Sequence, residues 1–222
     1  MFAIALDGPA GAGKSTVAQL AAKQLGMHYV DTGAMYRTLA YHILRKGADV
    51  KDEDAVAAAL APVEVKICYD GGIQKMFLAE EEVTGRIRTA EVGEAASIIA
   101  AYRPVREKLL NLQRELAERY EVIMDGRDIG TAVLPDAALK IYLTADARER
   151  GKRRFLELEE KEPGKHCLEE VIRNIQERDE RDMNREIAPL RKAEDAVVLD
   201  TTCMSAREAA EEVVRLARSV RK

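Results

Sequence analysis

Gly8-Pro9-Ala10-Gly11-Ala12-Gly13-Lys14-Ser15, followed by Thr16, spaces its glycines so that a lysine and a serine come directly after the last of them. Holding a polyphosphate requires backbone N–H groups curled inward around an anion, and glycine tolerates that curvature. Lys14 would bring positive charge to the outer phosphates, Ser15 a hydroxyl to Mg²⁺, and the following helix its positive end. An acid at the end of a neighbouring strand would complete such a cation site. Asp125, after Val122-Ile123-Met124, suits that role, directly or through water. Asp31 and Asp200 also follow apolar runs, so position alone leaves all three open.

A second set of residues speaks to another anion. Asp31-Thr32-Gly33-Ala34-Met35-Tyr36-Arg37 follows an apolar pair, and Arg37 can fork onto a phosphate with help from the Thr32 hydroxyl. Asp125-Gly126-Arg127-Asp128 offers another arginine beside a carboxylate at a strand end. At about 100° per residue, Arg178, Arg181, Asp182 and Arg185 fall on one helix face. Three guanidiniums on one face repel unless an anion lies between them or flanking acids satisfy them. Arg150, Arg153 and Arg154 form a further basic cluster, which on mobile helices would swing over a transferring phosphate and exclude water.

These residues need a scaffold, and the apolar runs predict one. Phe2 to Leu6 is a short buried strand stopped by Asp7-Gly8-Pro9. Tyr29-Val30, Val122 to Met124, Leu139 to Leu143 and Ala196 to Leu199 read the same way. A helix over 15 to 25 carries Val17, Leu20, Ala21 and Leu25 on one stripe, and helical spacings fill the other intervals. Strands alternating with helices imply a parallel sheet. One interval departs from this rhythm: Val63, Val65 and Ile67 alternate with polar residues, and Asp70-Gly71-Gly72 turns the chain into Lys75-Met76-Phe77-Leu78. A small β unit inserted over about 63 to 90 is therefore expected. Val105, Leu109, Leu112 and Leu116 mark a long amphipathic helix over roughly 104 to 120, with Pro104 at its start.

Composition bounds the function. The 222 residues suit one domain with excursions or two small ones, and 47% apolar content supplies a core. Thirty-five Lys and Arg against 39 Asp and Glu give a net charge of -4, which argues against a general polyanion binder; anion recognition must come from local clusters. The densest charge lies in 146 to 195, with 13 basic and 15 acidic residues, where helices laced by ion pairs are expected around an exposed loop at Glu159 to Lys165. Cys68, Cys167 and Cys203 are scattered and read as reduced thiols of a cytoplasmic protein. No basic leader precedes Asp7 and no apolar stretch is long enough to span a bilayer, so no membrane association is expected.

The motifs quoted above, with Gly85-Arg86-Ile87-Arg88-Thr89, Asp125-Gly126-Arg127-Asp128-Ile129-Gly130-Thr131 and Glu177-Arg178-Asp179-Glu180-Arg181-Asp182, resemble those of the bacterial cytidylate kinases in order and spacing over nearly the whole chain. The first motif is common to many nucleotide enzymes, whereas the Asp-Thr-Gly-Ala-x-Tyr-Arg and Asp-Gly-Arg-Asp-x-Gly-Thr pair is far more specific. The resemblance implies an α/β P-loop NTPase core, a five-stranded parallel sheet flanked by helices, in residues 1–35, 120–148 and 187–222. A nucleoside-monophosphate-binding region over about 36–105 would hold the β insert, and about 149–186 would form a helical lid.

It also implies roles. ATP would be the phosphoryl donor, with Mg²⁺, on Gly8 through Thr16; CMP and dCMP would be acceptors. Thr32, Arg37 and Arg127 would hold the acceptor phosphate. Ser97, Arg106, Asp128 and Arg185 would meet the cytosine edge, Arg178 and Asp182 the pentose, and Arg88 would lie in a closing arm. Lys14, Arg127, Arg150 and Arg154 would stabilise the transferring phosphoryl group. A monomer with no nucleic-acid partner is expected. A kinase for UMP or another small acceptor, and a nucleotide-gated switch or nucleic-acid ATPase using the same loop, are the competing readings; the acidic balance speaks against the last.

Overall fold

The computed structural model describes residues 1–221. In chain order the elements are β1 (Ala3–Asp7), α1 (Lys14–Leu25), β2 (His28–Asp31), α2 (Thr32–Arg45), α3 (Glu53–Leu60), β3 (Val65–Asp70), β4 (Ile73–Leu78), β5 (Glu81–Glu82), α4 (Ala90–Ile99) and α5 (Arg103–Arg119). Then follow β6 (Val122–Gly126), a single π-helical turn (Ile129–Val133), β7 (Leu139–Thr144), α6 (Ala147–Lys161), α7 (Leu168–Asn184), β8 (Val197–Asp200) and α8 (Ala206–Val220). All five apolar runs are strands, and they form one five-stranded parallel sheet in the order β2-β6-β1-β7-β8. Among the described residues no helix is long and apolar enough to cross a membrane.

The chain forms two compact units: Phe2–Met27 with everything from Ile123 onward, and His28–Val122 with Met1. In the first, every residue of β1 is buried, as a central parallel strand requires. Ile4 and Leu6 lie in register with Leu139 and Ile141 of β7. At the sheet edge, β8 buries only Leu199 and leaves Val197 and Val198 exposed. The inward face of α1 is Val17, Ala18, Ala21 and Ala22 rather than the expected stripe, and Leu20 is 37% exposed. The reason lies in α8, which packs on α1 and presents Ala209, Ala210, Val213, Val214 and Ala217. Small side chains on both helices let the backbones approach, so alanines outcompete the larger Leu20 for the interface.

In the second unit the expected hairpin is present. β3 and β4 pair antiparallel with Asp70 opposite Ile73, and β5 adds a short third strand. Gly71 and Gly72 both take positive φ, 56° and 81°, the demand of a tight hairpin turn that glycine meets without strain. Pro104 sits in the first turn of α5, where its missing N–H costs nothing. The interval before the hairpin also holds the short helix α3. Its local signal is Asp52, whose side chain accepts the Asp54 and Ala55 N–H groups ahead of Glu53 and Asp54 in the first turn.

Candidate active site

The glycine-rich loop joins β1 to α1. Gly8 has φ of 150°, and a Cβ there would lie 1.9 Å from the Leu143 carbonyl oxygen, so β7 packs too closely for any side chain. Gly13, at φ 87°, is the residue immediately before α1. Lys14 is buried and arches back over the loop, its Nζ donating to the carbonyls of Gly8 at 2.8 Å and Pro9 at 2.7 Å. Burial, then the positive charge of Arg127, hold its pKa well below the usual lysine value. A polyphosphate would oppose that shift by supplying negative charge. Ser15 donates its hydroxyl to Asp125 Oδ2 at 2.8 Å. One hydroxyl beside one buried carboxylate suits a hard cation that takes its remaining ligands from phosphate and water, so these residues fit Mg²⁺. No cluster of three or more His, Cys, Asp or Glu that could hold a metal exists among the described residues.

Acid–arginine pairs surround the loop within the same unit. Arg127 Nε donates to Asp182 Oδ2 at 2.8 Å. Burial works to raise the Asp182 carboxyl pKa, but Arg127, Arg178 and Arg185 outweigh it and hold it below the ordinary value. Arg185 pairs with Asp128 at 2.9 Å, and both side chains are nearly inaccessible. Arg150 meets Asp179 at 2.5 Å and also donates to the carbonyls of Ala145 and Ala10. Arg154 stays on the surface, paired with Glu157, and Arg153 donates to the Thr201 carbonyl.

One expectation changes here. Arg185 does not share the helical face of Arg178, Arg181 and Asp182, because α7 ends at Asn184 and Arg185 is extended, at φ -63° and ψ 142°. Its guanidinium is drawn instead to Asp128 and the Ala188 carbonyl. Asp179 and Asp182 are buried against arginines. An unpaired buried guanidinium would be costly, so each one recruits a carboxylate.

The second unit holds the remaining predicted residues. Thr32 opens α2, and Asp31 caps that helix by accepting the Ala34 N–H at 2.8 Å. Arg88 reaches the other Asp31 oxygen at 2.6 Å. Arg37 on α2 lies along α4, where a Cβ on Gly93 would come 2.8 Å from its Nη1. Ser97 is buried on α4. Arg106 on α5 lies 6.0 Å from the Tyr36 ring and donates to the Ala100 carbonyl. Thr32, Arg37, Arg88, Ser97 and Arg106 thus belong to one unit, while Lys14, Asp125, Arg127, Asp128, Arg150, Arg154, Arg178, Asp182 and Arg185 belong to the other.

Sequence reasoning missed three supporting residues. Asp179 accepts the Ala10 N–H, and Asp7 accepts two backbone N–H groups after Asp128. Gln74 in β4 makes a two-way amide pair with the backbone of Asp31, at 2.8 and 3.1 Å. Asp7 carried a signal, since an acid closing an otherwise apolar buried strand demands donors. Gln74 carried one too, as a polar residue on the inward register of a strand.

A strand running into a glycine loop, a lysine over that loop and a serine–aspartate pair at the adjoining strand end define an α/β P-loop kinase fold. A crystal structure of an uncharacterized protein from Eubacterium ventriosum shares that fold, with a TM-score of 0.55 at 12% identity over 99% of both chains. The cytidylate kinase family model matches residues 4–219, and the chain belongs to that family. A protein of Caldicellulosiruptor bescii named cytidylate kinase is 48% identical over 213 residues, 96% of this chain and 94% of its own. One of Desulfitobacterium hafniense with the same name is 48% identical over 214 residues, covering 96% and 91%.

Proposed function

We propose that this chain transfers the γ-phosphoryl group of ATP to the phosphate of CMP or dCMP, yielding ADP and CDP or dCDP. Family membership supports the reaction, and the buried Asp128–Arg185 pair at 2.9 Å is the observation that carries the choice of base. Cytosine presents a donating amine at N4 beside acceptors at N3 and O2, so a carboxylate next to a guanidinium is complementary. Uracil would set a carbonyl against Asp128, acceptor facing acceptor. Ser97 and Arg106 add polar contacts to the base. Arg178 and Asp182 address the pentose hydroxyls, and Thr32, Arg37 and Arg127 the acceptor phosphate.

The acceptor phosphate is already anionic, so no general base is needed. One of its oxygens attacks the γ-phosphorus, the bond to the β-phosphate oxygen breaks, and ADP leaves. Lys14 and Arg127 neutralise the charge spread over the equatorial oxygens. Arg150 and Arg154 contribute from the region 149–186, which acts as the lid, while 36–105 receives the acceptor. Ser15 and Asp125 would hold Mg²⁺, which would supply positive charge against the donor phosphates. The enzyme is taken to work as a monomer in the cytoplasm.

The test is ATP-dependent phosphorylation across CMP, dCMP, UMP, AMP and GMP. CMP and dCMP are expected to exceed the others in kcat/KM by roughly a hundredfold or more, the scale set by leaving a buried polar group unpaired. Equal turnover of UMP would overturn the assignment of Asp128.

A further inference from the structure

Asp7 ends β1 immediately before Gly8, the first residue of the glycine loop. Oδ1 accepts the N–H of Ile129 and Oδ2 that of Gly130, each at 2.8 Å. Those two residues begin the π-helical turn, whose first N–H groups have no partner inside the helix. They also follow Arg127 and Asp128 directly, the residues paired with Asp182 and Arg185. Gly130 is closely surrounded: a Cβ there would lie 3.1 Å from the Lys140 stem and in van der Waals contact with Asp7 Oδ2 at 3.4 Å. π-Helical turns are strained and persist where the surroundings hold them. Asp7 is 5% exposed, so water cannot substitute for either hydrogen bond.

We propose that Asp7 is a positioning residue that fixes the Arg127–Asp128 segment against the phosphate loop, so that acceptor recognition is set by the residue preceding the donor site. Asp7 touches neither substrate and acts through the backbone of Ile129 and Gly130. The inference rests on the reading that Arg127 and Asp128 address CMP.

The test compares the intact wild-type chain with Asp7→Asn, which keeps one acceptor oxygen and the side-chain shape. KM for CMP is expected to rise roughly tenfold or more, the effect of losing one charge-assisted hydrogen bond, while KM for ATP stays within about twofold. Amide exchange over residues 126–134, followed by mass spectrometry, is expected to accelerate by about the same factor while residues 8–16 keep their protection. An unchanged KM for CMP, a parallel rise in both KM values or unaltered exchange would each overturn the proposal. If Asp7→Asn does not fold, the wild-type protein decides. At pH 7.5 the Ile129 and Gly130 amides, followed by NMR, are expected to exchange as slowly as the amides of β1, because the buried Asp7 carboxylate holds both. Exchange at the rate of an open loop would overturn it. Wild-type CMP turnover, measured alongside, separates failure of this inference from failure of the functional reading.

Discussion

Arg150 and Asp179 form a buried ion pair at 2.5 Å that holds one residue of the phosphate loop, Ala10, by both its N–H and its carbonyl. Asp179 accepts the Ala10 N–H at 2.8 Å, and Arg150 donates to the Ala10 carbonyl at 2.7 Å. Through these two bonds to Ala10, α6 and α7 are tied to the glycine loop itself. Arg150 therefore has a scaffold role in addition to any contact with phosphate, and Asp179 shares it.

Replacing Asp179 separates the two functions of its carboxylate. Asp179→Ala strands a buried guanidinium and should lower unfolding free energy by about 3–5 kcal/mol. Asp179→Asn can still accept the Ala10 N–H and should cost less. Both are expected to raise KM for ATP more than KM for CMP, checked by urea denaturation alongside steady-state kinetics.

Lys14→Ala should leave the fold standing, since burial of an ammonium opposes stability there and its two acceptors are loop carbonyls. Turnover is expected to fall by about a thousandfold or more, as for loss of a charge that acts on the transferring group. Circular dichroism and a CMP phosphorylation assay check the two halves of that statement. Full activity would remove the lysine from the mechanism.

Gly93→Ala sets helix stability against function. Alanine favours a helix interior by about 1 kcal/mol, so α4 should hold or gain stability. The new methyl would lie 2.8 Å from Arg37 Nη1 and force that guanidinium aside. A Tm equal to or above wild type, with KM for CMP raised roughly tenfold, is the expected pair of results for a displaced phosphate ligand. A normal KM would show that Arg37 does not hold the acceptor.

Asp7 should also leave a signature in the pH dependence of stability. Burial raises its pKa from 3.8 to about 6, against the two backbone hydrogen bonds that lower it. Between about pH 4 and 6 the folded chain keeps a proton that the unfolded chain has lost, so this group's contribution falls as pH rises through that window. The change amounts to about 3 kcal/mol. Urea denaturation at pH 4.5 and 7.5 should show wild type losing stability relative to Asp7→Asn at the higher pH; parallel values would contradict a shifted Asp7.

Much of the site was legible because its signals are local. The turn from Leu6 through Gly8 to Lys14 needs only a buried run, glycines and a helix start, all adjacent in the chain. The hairpin at Gly71-Gly72 and the long helix after Pro104 are local in the same sense. Arg185 shows where such reasoning stops. Periodicity assigned it to a helical face, but α7 ends one residue earlier and Asp128, 57 residues away in sequence, captures the side chain.

The sequence by itself determined that a polyphosphate loop, two arginine-bearing strand ends and an acidic–basic helix exist in this chain, and its motifs carried the family resemblance. Only the tertiary structure decided which carboxylate meets which guanidinium: Asp182 with Arg127, Asp128 with Arg185, Asp179 with Arg150. It likewise decided that alanines rather than Leu20 face α8, and that Asp7 and Gln74 serve the backbone. Backbone curvature and hydrophobic period are properties of neighbouring residues. Partner choice depends on which charges are desolvated together, and that is settled only when distant segments pack.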